Sequence, residues 1–165
     1  LSGRVKVVNG LVSDQSGKVL PFYWDFSSGG ASVFEGRMGH DFSINKITLA
    51  LDDYIHQLQI QPDLIKIDVE GAELAVLKGC QKTLHTHKPI VFLELHSIGD
   101  EPLWKNAERI IELCGPLSYS MVYLRSKNMV TDVQELADRG RCHVLLVPAG
   151  SEWKSILSGL DLNGL

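Results

Sequence analysis

No run of apolar residues approaches the roughly 20 that a membrane-spanning helix needs, and no signal-peptide pattern opens the chain. Cysteine is scarce. Cys80, Cys114 and Cys142 are odd in number, far apart and without a Cys-x-x-Cys pair, which argues against a disulfide framework and a structural zinc site. Three buried, reduced thiols in a cytoplasmic protein are the expectation. Basic charge is not in excess either: the net charge is −4, so neither nucleic acid nor a membrane is an expected partner. The six histidines add positive charge only below neutral pH. The glycine-rich stretch Ser27-Ser28-Gly29-Gly30 is followed by no Gly-Lys-Ser/Thr and no helical period, which excludes a phosphate-binding loop of that kind.

What is present describes an ordinary folded domain, with 44% apolar and 22% charged residues over 165 positions. One domain over residues 1–150 is expected, followed by a short tail over 151–165 with an amphipathic turn around Trp153, Ile156 and Leu157. The first residue is Leu1 and not Met, and it lies almost on a strand, so the chain is expected to be part of a longer protein.

The centre of the sequence is the run from Pro62 to Gly79. Leu64 to Val69 is short, apolar and β-branched, the pattern of a parallel strand covered on both faces. From Gly71 the period changes to that of a helix, with Leu74 and Leu77 on its apolar stripe and Leu84 near its end. Asp68, Glu70 and Glu73 stand at the junction, outside the carboxyl end of a strand, where open α/β sheets bind ligands. Lys66 is unusual inside such a strand. It must reach a carboxylate or lose its charge, and Asp68 is its nearest neighbour on the same face.

The same logic marks a second strand, Ile90 to Leu95, whose end carries Glu94 and His96 on one face. The rest reads in order. Arg4 to Ser13 predicts a strand, and Lys18 to Phe26 is expected to pair back on it across the turn at Asp14-Gln15-Ser16-Gly17. Ser27 to Ser43 reads as a loop, with Phe34, Arg37 and His40 as candidate lid residues. Ile44 to Leu51 predicts a strand, and Asp52 is placed to cap a helix over Asp53 to Gln59. Leu103 to Cys114 is an amphipathic helix stopped by Gly115-Pro116. Two further strands, Tyr119 to Leu124 and Cys142 to Val147, flank a short helix near Val133 to Ala137.

The segments Ile67-Asp68-Val69-Glu70-Gly71, Ala72-Glu73-Leu74-Ala75-Val76-Leu77-Lys78-Gly79 and Ile90-Val91-Phe92-Leu93-Glu94-Leu95-His96 together resemble the second half of an FkbM-type methyltransferase. Val5 to Asp14 and Ile47 to Tyr54 are similar to family segments in the expected order. The resemblance implies an α/β fold, a Rossmann-like class I methyltransferase sheet that is mostly parallel and ends in an antiparallel strand. It implies S-adenosylmethionine as cofactor, with Asn9, Gly10 and Asp68 beside it. The family's Asp-x-Gly-Ala-x-x-Gly turn and the acidic residue after its next strand are absent from this sequence.

Methyl transfer to a hydroxyl needs an in-line approach and a group to take the proton. Lys66, Asp68, Glu70, Glu94 and His96 are the candidates. In one arrangement His96 or a carboxylate is the base, with Lys66 keeping Asp68 or Glu94 ionised. In the other, Asp68 and Glu94, with Glu70 or His96, hold a divalent cation. The first is preferred because Lys66 already neutralises charge that a metal would use, so no metal is expected. The expected function is O-methylation of a small molecule or sugar. The alternative is a truncated, inactive methyltransferase-like domain serving as a folded or interaction module. Asp68-Val69-Glu70-Gly71 after a strand is also reminiscent of haloacid-dehalogenase-type phosphatases, although glutamate at the second acidic position departs from their pattern.

Overall fold

The computed structural model describes residues 4–24, 31–34, 42–136 and 141–158. The glycine-rich stretch at 27–30, the candidate lid residues Arg37 and His40, and the tail from 159 onward lie outside them. The described strands form two mixed sheets flanked by five helices.

The larger sheet has the order β5-β6-β9-β7-β8. Strand β5 (Leu64–Ile67) pairs parallel with β6 (Ile90–His96), the link between them forming α2 (Glu73–Lys78) and α3 (Gln81–Thr86). Helix α4 (Leu103–Cys114) carries the chain to β7 (Tyr119–Tyr123), and β9 (Arg141–Pro148) enters between β6 and β7, antiparallel to both. A two-residue strand, β8 (Asn128–Met129), closes the far edge. A mostly parallel sheet is therefore not what the pairing shows. Strands β5, β6 and β7 do share one direction, because two of them run against the same β9. It is the inserted return strand that makes most of the ladders antiparallel.

Alternation along β6 sorts the core. Val91, Leu93 and Leu95 are fully buried against Val76 and Leu77 of α2 and Leu103, Ala107 and Ile110 of α4. The opposite face holds Ile90 and Phe92 beside Val122, Leu145 and Val147, covered by Trp153 and Leu157 of α5 (Trp153–Ser158). The cover does not extend to β5. Among the described strands it is the sheet edge, and Leu64 is 63% exposed, so the expectation of a strand buried on both faces holds for β6 and fails for β5.

The smaller sheet has the order β1-β4-β2-β3. Strand β2 (Val19–Trp24) pairs antiparallel with β4 (Phe42–Leu49) and with β3 (Ala31–Ser32), while β1 (Leu11–Val12) lies parallel on the other edge of β4. The hairpin expected between Arg4–Ser13 and Lys18–Phe26 is thus replaced by β2 on β4. Val5, Val7 and Val8 are exposed and outside any strand, since β-branched residues make a strand only where a partner edge is available.

Helix α1 (Leu51–Leu58) connects the two sheets, and Asp52 does not cap it as expected. Its carboxylate instead accepts from the backbone N–H groups of Lys82 and Thr83, at 2.9 and 2.8 Å, satisfying the open start of α3. Gly79, which the sequence offers as a helix stop, does close α2, and the expected continuation to about Leu84 forms the separate helix α3. A Cβ on Gly79 would sit 2.2 Å from the carbonyl oxygen of Ser13, and the Gly79 carbonyl accepts from Asp52 N at 2.8 Å. The break is where the chain next to β1 presses against the helical layer.

Candidate active site

Strands β5 and β6 end side by side, with Ile67 paired to Leu93, so the residues that follow share one rim of the sheet. After Asp68 and Val69 the backbone reverses through two left-handed residues, Glu70 at φ 52° and Gly71 at φ 101°. The second suits glycine; the first holds a glutamate in a conformation that costs about 1–2 kcal/mol. That turn leaves Glu70 at the rim and starts α2 with Glu73 directed inward.

Glu73 is completely buried. A carboxylate there survives by collecting donors, and it has three. Its Oε1 accepts from Gly71 N at 2.9 Å and lies 2.9 Å from His96 Nδ1, while its Oε2 accepts from Asn106 Nδ2 at 3.1 Å. The same amide nitrogen donates to the His96 carbonyl at 3.0 Å. With Glu73 ionised, the carboxylate only accepts and the proton shared with the ring sits on His96 Nδ1. Nε2 is buried, 3.6 Å from Glu70 Oε2 and 3.8 Å from Glu94 Oε1.

Lys66 does not lie between the acids of the two strands. Its ammonium reaches Asp68 at 2.9 Å and is otherwise in solvent. The hydrogen bond from Lys66 holds the Asp68 carboxyl below its usual range against the opposing effect of burial, with a smaller contribution from His96. Asp68 in turn raises the Lys66 ammonium. Glu94 is paired from β9 instead: Arg141 donates to its Oε1 at 3.0 Å and His143 Nε2 lies 3.4 Å from its Oε2. Of the two acids that Lys66 was expected to serve, it pairs with Asp68; Glu94, one strand further into the sheet beside β9, acts on it only at longer range.

Asp68, Glu70 and His96 each place one ligand atom within 4.8 Å of the other two, a spacing that could hold a divalent cation. Asn9 and Gly10 stand elsewhere. They line a separate cleft on the smaller sheet with Phe22, Trp24, Ile44 and Lys46, where Lys46 Nζ donates to Asn9 Oδ1 at 3.0 Å. Among the described residues, Ser32 of β3 links this sheet to the rim by donating to the Glu70 carbonyl at 3.4 Å.

The structure thus gathers Asp68, Glu70, Glu94 and His96 at one rim, places Lys66 at its outer edge, and leaves Asn9 and Gly10 in the cleft. Sequence reasoning missed Glu73 as a buried partner, Asn106 and Arg141. A signal existed for the first two. Glu73, Val76, Leu77 and Cys80, and likewise Leu103, Asn106, Ala107 and Ile110, follow the spacing of a buried helical stripe, and in each a single polar residue occupies a core position.

No curated protein matches the chain. Among solved structures, the FkbM methyltransferase of Methylobacillus flagellatus KT is similar at 20% identity and a TM-score of 0.39, over 62% of this chain and 23% of that one. The chain therefore spans under a quarter of that protein's length. Residues 9–119, two thirds of the sequence, match the family model described as the methyltransferase FkbM domain. This chain belongs to the FkbM methyltransferase family.

Proposed function

We propose that the rim formed by β5 and β6 serves the transfer of a methyl group from S-adenosylmethionine to a hydroxyl of a small molecule or sugar. The observation that carries this reading is the buried Glu73–His96 pair, which holds Nδ1 at 2.9 Å and sets Nε2, itself buried, 3.6 Å from Glu70 at the strand ends. An imidazole fixed in this way accepts a proton on Nε2, and the carboxylate behind it stabilises the resulting imidazolium. The part of His96 would be to take the hydroxyl proton of the acceptor on Nε2, while the methyl group would leave the cofactor's sulfur, which departs as a neutral thioether. Glu70 and Glu94, within 4 Å of Nε2, favour the protonated ring after transfer.

The bound cofactor would supply the electrophilic methyl group on its sulfonium. Residues suited to it are present. Asp68 offers an ionised carboxylate at the rim for sugar hydroxyls, whereas the cleft of Phe22 and Trp24 near Asn9 and Gly10 lies apart from it on the smaller sheet. The common direction of β5, β6 and β7 further supports reading the larger sheet as Rossmann-like.

A second arrangement is favoured by the spacing of Asp68, Glu70 and His96, which could bind a divalent cation that acidifies the hydroxyl. The hydrogen bond from Lys66 already engages Asp68, and this favours the base mechanism. Activity abolished by a strong chelator and restored by added cation would reverse that preference.

The test is incubation of the protein containing this chain with methyl-labelled S-adenosylmethionine and a panel of sugar, polyketide and lipid alcohols. Label is expected as an ether on one of these. Transfer confined to nitrogen or carbon, or a protein that binds no cofactor by calorimetry, would overturn the reading in favour of another chemistry or a non-catalytic module.

A further inference from the structure

We propose that the cleft at the end of β7 binds a neutral, hydroxyl-rich ring, a sugar, through Tyr123, Arg125 and Glu135. Its place as the distal part of an acceptor site rests on the methyl transfer proposed for the β5–β6 rim; the binding itself does not.

The cleft has a volume of about 390 Å³ and is lined by Tyr123, Arg125, Ser126 and Glu135. Local structure places each of them. Tyr123 is the last residue of β7. The turn from β7 to β8 closes with Lys127 in the left-handed region at φ 56° and Asn128 N donating to Ser126 Oγ at 3.4 Å, which sets Arg125 and Ser126 at the end of the sheet. Glu135 ends a short 3-10 helix, Val133–Glu135, capped by Asp132 and anchored by Val133 and Leu136 on the core below α4.

Tyr123 is 9% exposed, its ring packed in the core of the larger sheet. Its hydroxyl meets no hydrogen-bond partner among the described residues, yet it is not sealed from solvent. A buried tyrosine ordinarily has its hydroxyl paired, so this one is open to a group in the cleft. Arg125 and Glu135 are exposed, and among the described residues neither is paired with the other or with a third group.

These polar ends select the ligand. An anion would face Glu135 and a cation would face Arg125, so charge of either sign is opposed. A hydroxyl both donates and accepts. Neighbouring hydroxyls on one ring can donate to Glu135 and accept from Arg125 together, and the Tyr123 hydroxyl can serve a third.

Strand β7 runs in the direction of β5 and β6, so its carboxyl end opens at the same end of the sheet as Asp68 and His96. Only β9 separates β6 from β7, which puts the cleft about 10 Å across the sheet from the end of β6. An acceptor with one ring at the rim and another in the cleft is an oligosaccharide.

The experiment is nitrogen-15 NMR of the protein containing this chain, titrated with glucose, glucuronate and glucosamine as a matched set and with the disaccharides cellobiose and maltose. The neutral sugars are expected to shift the amide signals of Arg125 and Ser126, and glucose to bind more tightly than either charged relative. Arg125→Ala and Glu135→Ala, at exposed positions, are each expected to raise Kd about tenfold, the loss of one hydrogen bond to a charged group, and Tyr123→Phe about threefold. No shift at these amides with any of the neutral sugars, tighter binding of a charged one, or an unchanged Kd in either alanine variant would overturn the proposal. Because binding is read without turnover, failure of the methyl-transfer reading leaves this result intact. Methylation of an oligosaccharide with a KM unmoved by Arg125→Ala would remove the cleft and leave the His96 base untouched.

Discussion

Strand β6 is apolar at five of the six positions from Ile90 to Leu95, whereas Ser43, Asn45 and Lys46 interrupt β4; Val91, Leu93 and Leu95 of the first are sealed while Ile47 of the second is 68% exposed. The cover differs accordingly: α2 and α4 lie on one face of the larger sheet and α5 on the other, whereas β4 and its neighbour β2 leave Val19 and Ile47, a directly opposed pair, in solvent. The polar cluster of Glu73, His96 and Asn106 belongs to the sealed side. A buried carboxylate with fixed donors needs rigid surroundings, and only the larger sheet provides them.

The largest effect that can break this contrast is on stability. Leu93→Ala is expected to cost about 2–5 kcal/mol in denaturant unfolding, whereas Ile47→Ala, a comparable truncation, is expected to cost within about 0.5 kcal/mol. Equal losses would mean that the smaller sheet has a cover not seen here. Next comes the seam between the two parts. Gly79→Ala forces a methyl group against the backbone of Ser13 and is expected to cost about 1–3 kcal/mol, with the change felt in both sheets by hydrogen exchange. A neutral result would show that the seam gives way freely.

Chemistry sharpens the contrast further. Burial pushes the thiols of Cys80, Cys114 and Cys142 up to about 12, so all three are expected to resist alkylation at neutral pH until the larger sheet unfolds. Rapid labelling of the native chain would contradict a sealed core. The smallest effect belongs to the rim's outer edge. Lys66 holds the Asp68 carboxyl below its ordinary value, so the pair contributes stability above the unfolded carboxyl's pKa and loses it as pH falls through the lower folded one. Lys66→Met is expected to move the Asp68 titration upward in carbon-13 NMR and to remove that contribution. An unmoved titration would show that Asp68 does not depend on Lys66.

Much of this was readable beforehand, for physical reasons. The helix Leu103–Cys114 and the strand Ile90–His96 are strongly periodic, and both stand where their periods predict. The rim residues Asp68, Glu70, Glu94 and His96 follow from two strand ends lying side by side. Their partners do not follow in the same way. Arg141 is 47 residues from Glu94, and its approach depends on β9 entering between β6 and β7, a register that no local pattern encodes. The interruption at Gly79 depends on Ser13, and the cap on α3 comes from Asp52, 30 residues earlier. Glu73 and Asn106 were legible as polar residues on buried stripes, but charge at a helix start has the simpler reading of complementing the dipole.

The most direct measurement of the central claim is the rate of methyl transfer to a responsive alcohol in His96→Ala against His143→Ala. Both rings lie near Glu94, but only His96 is backed by a buried carboxylate. A fall of about a hundredfold or more is expected for His96→Ala, with His143→Ala near the unmodified rate. Near-normal turnover without the His96 imidazole would contradict the account.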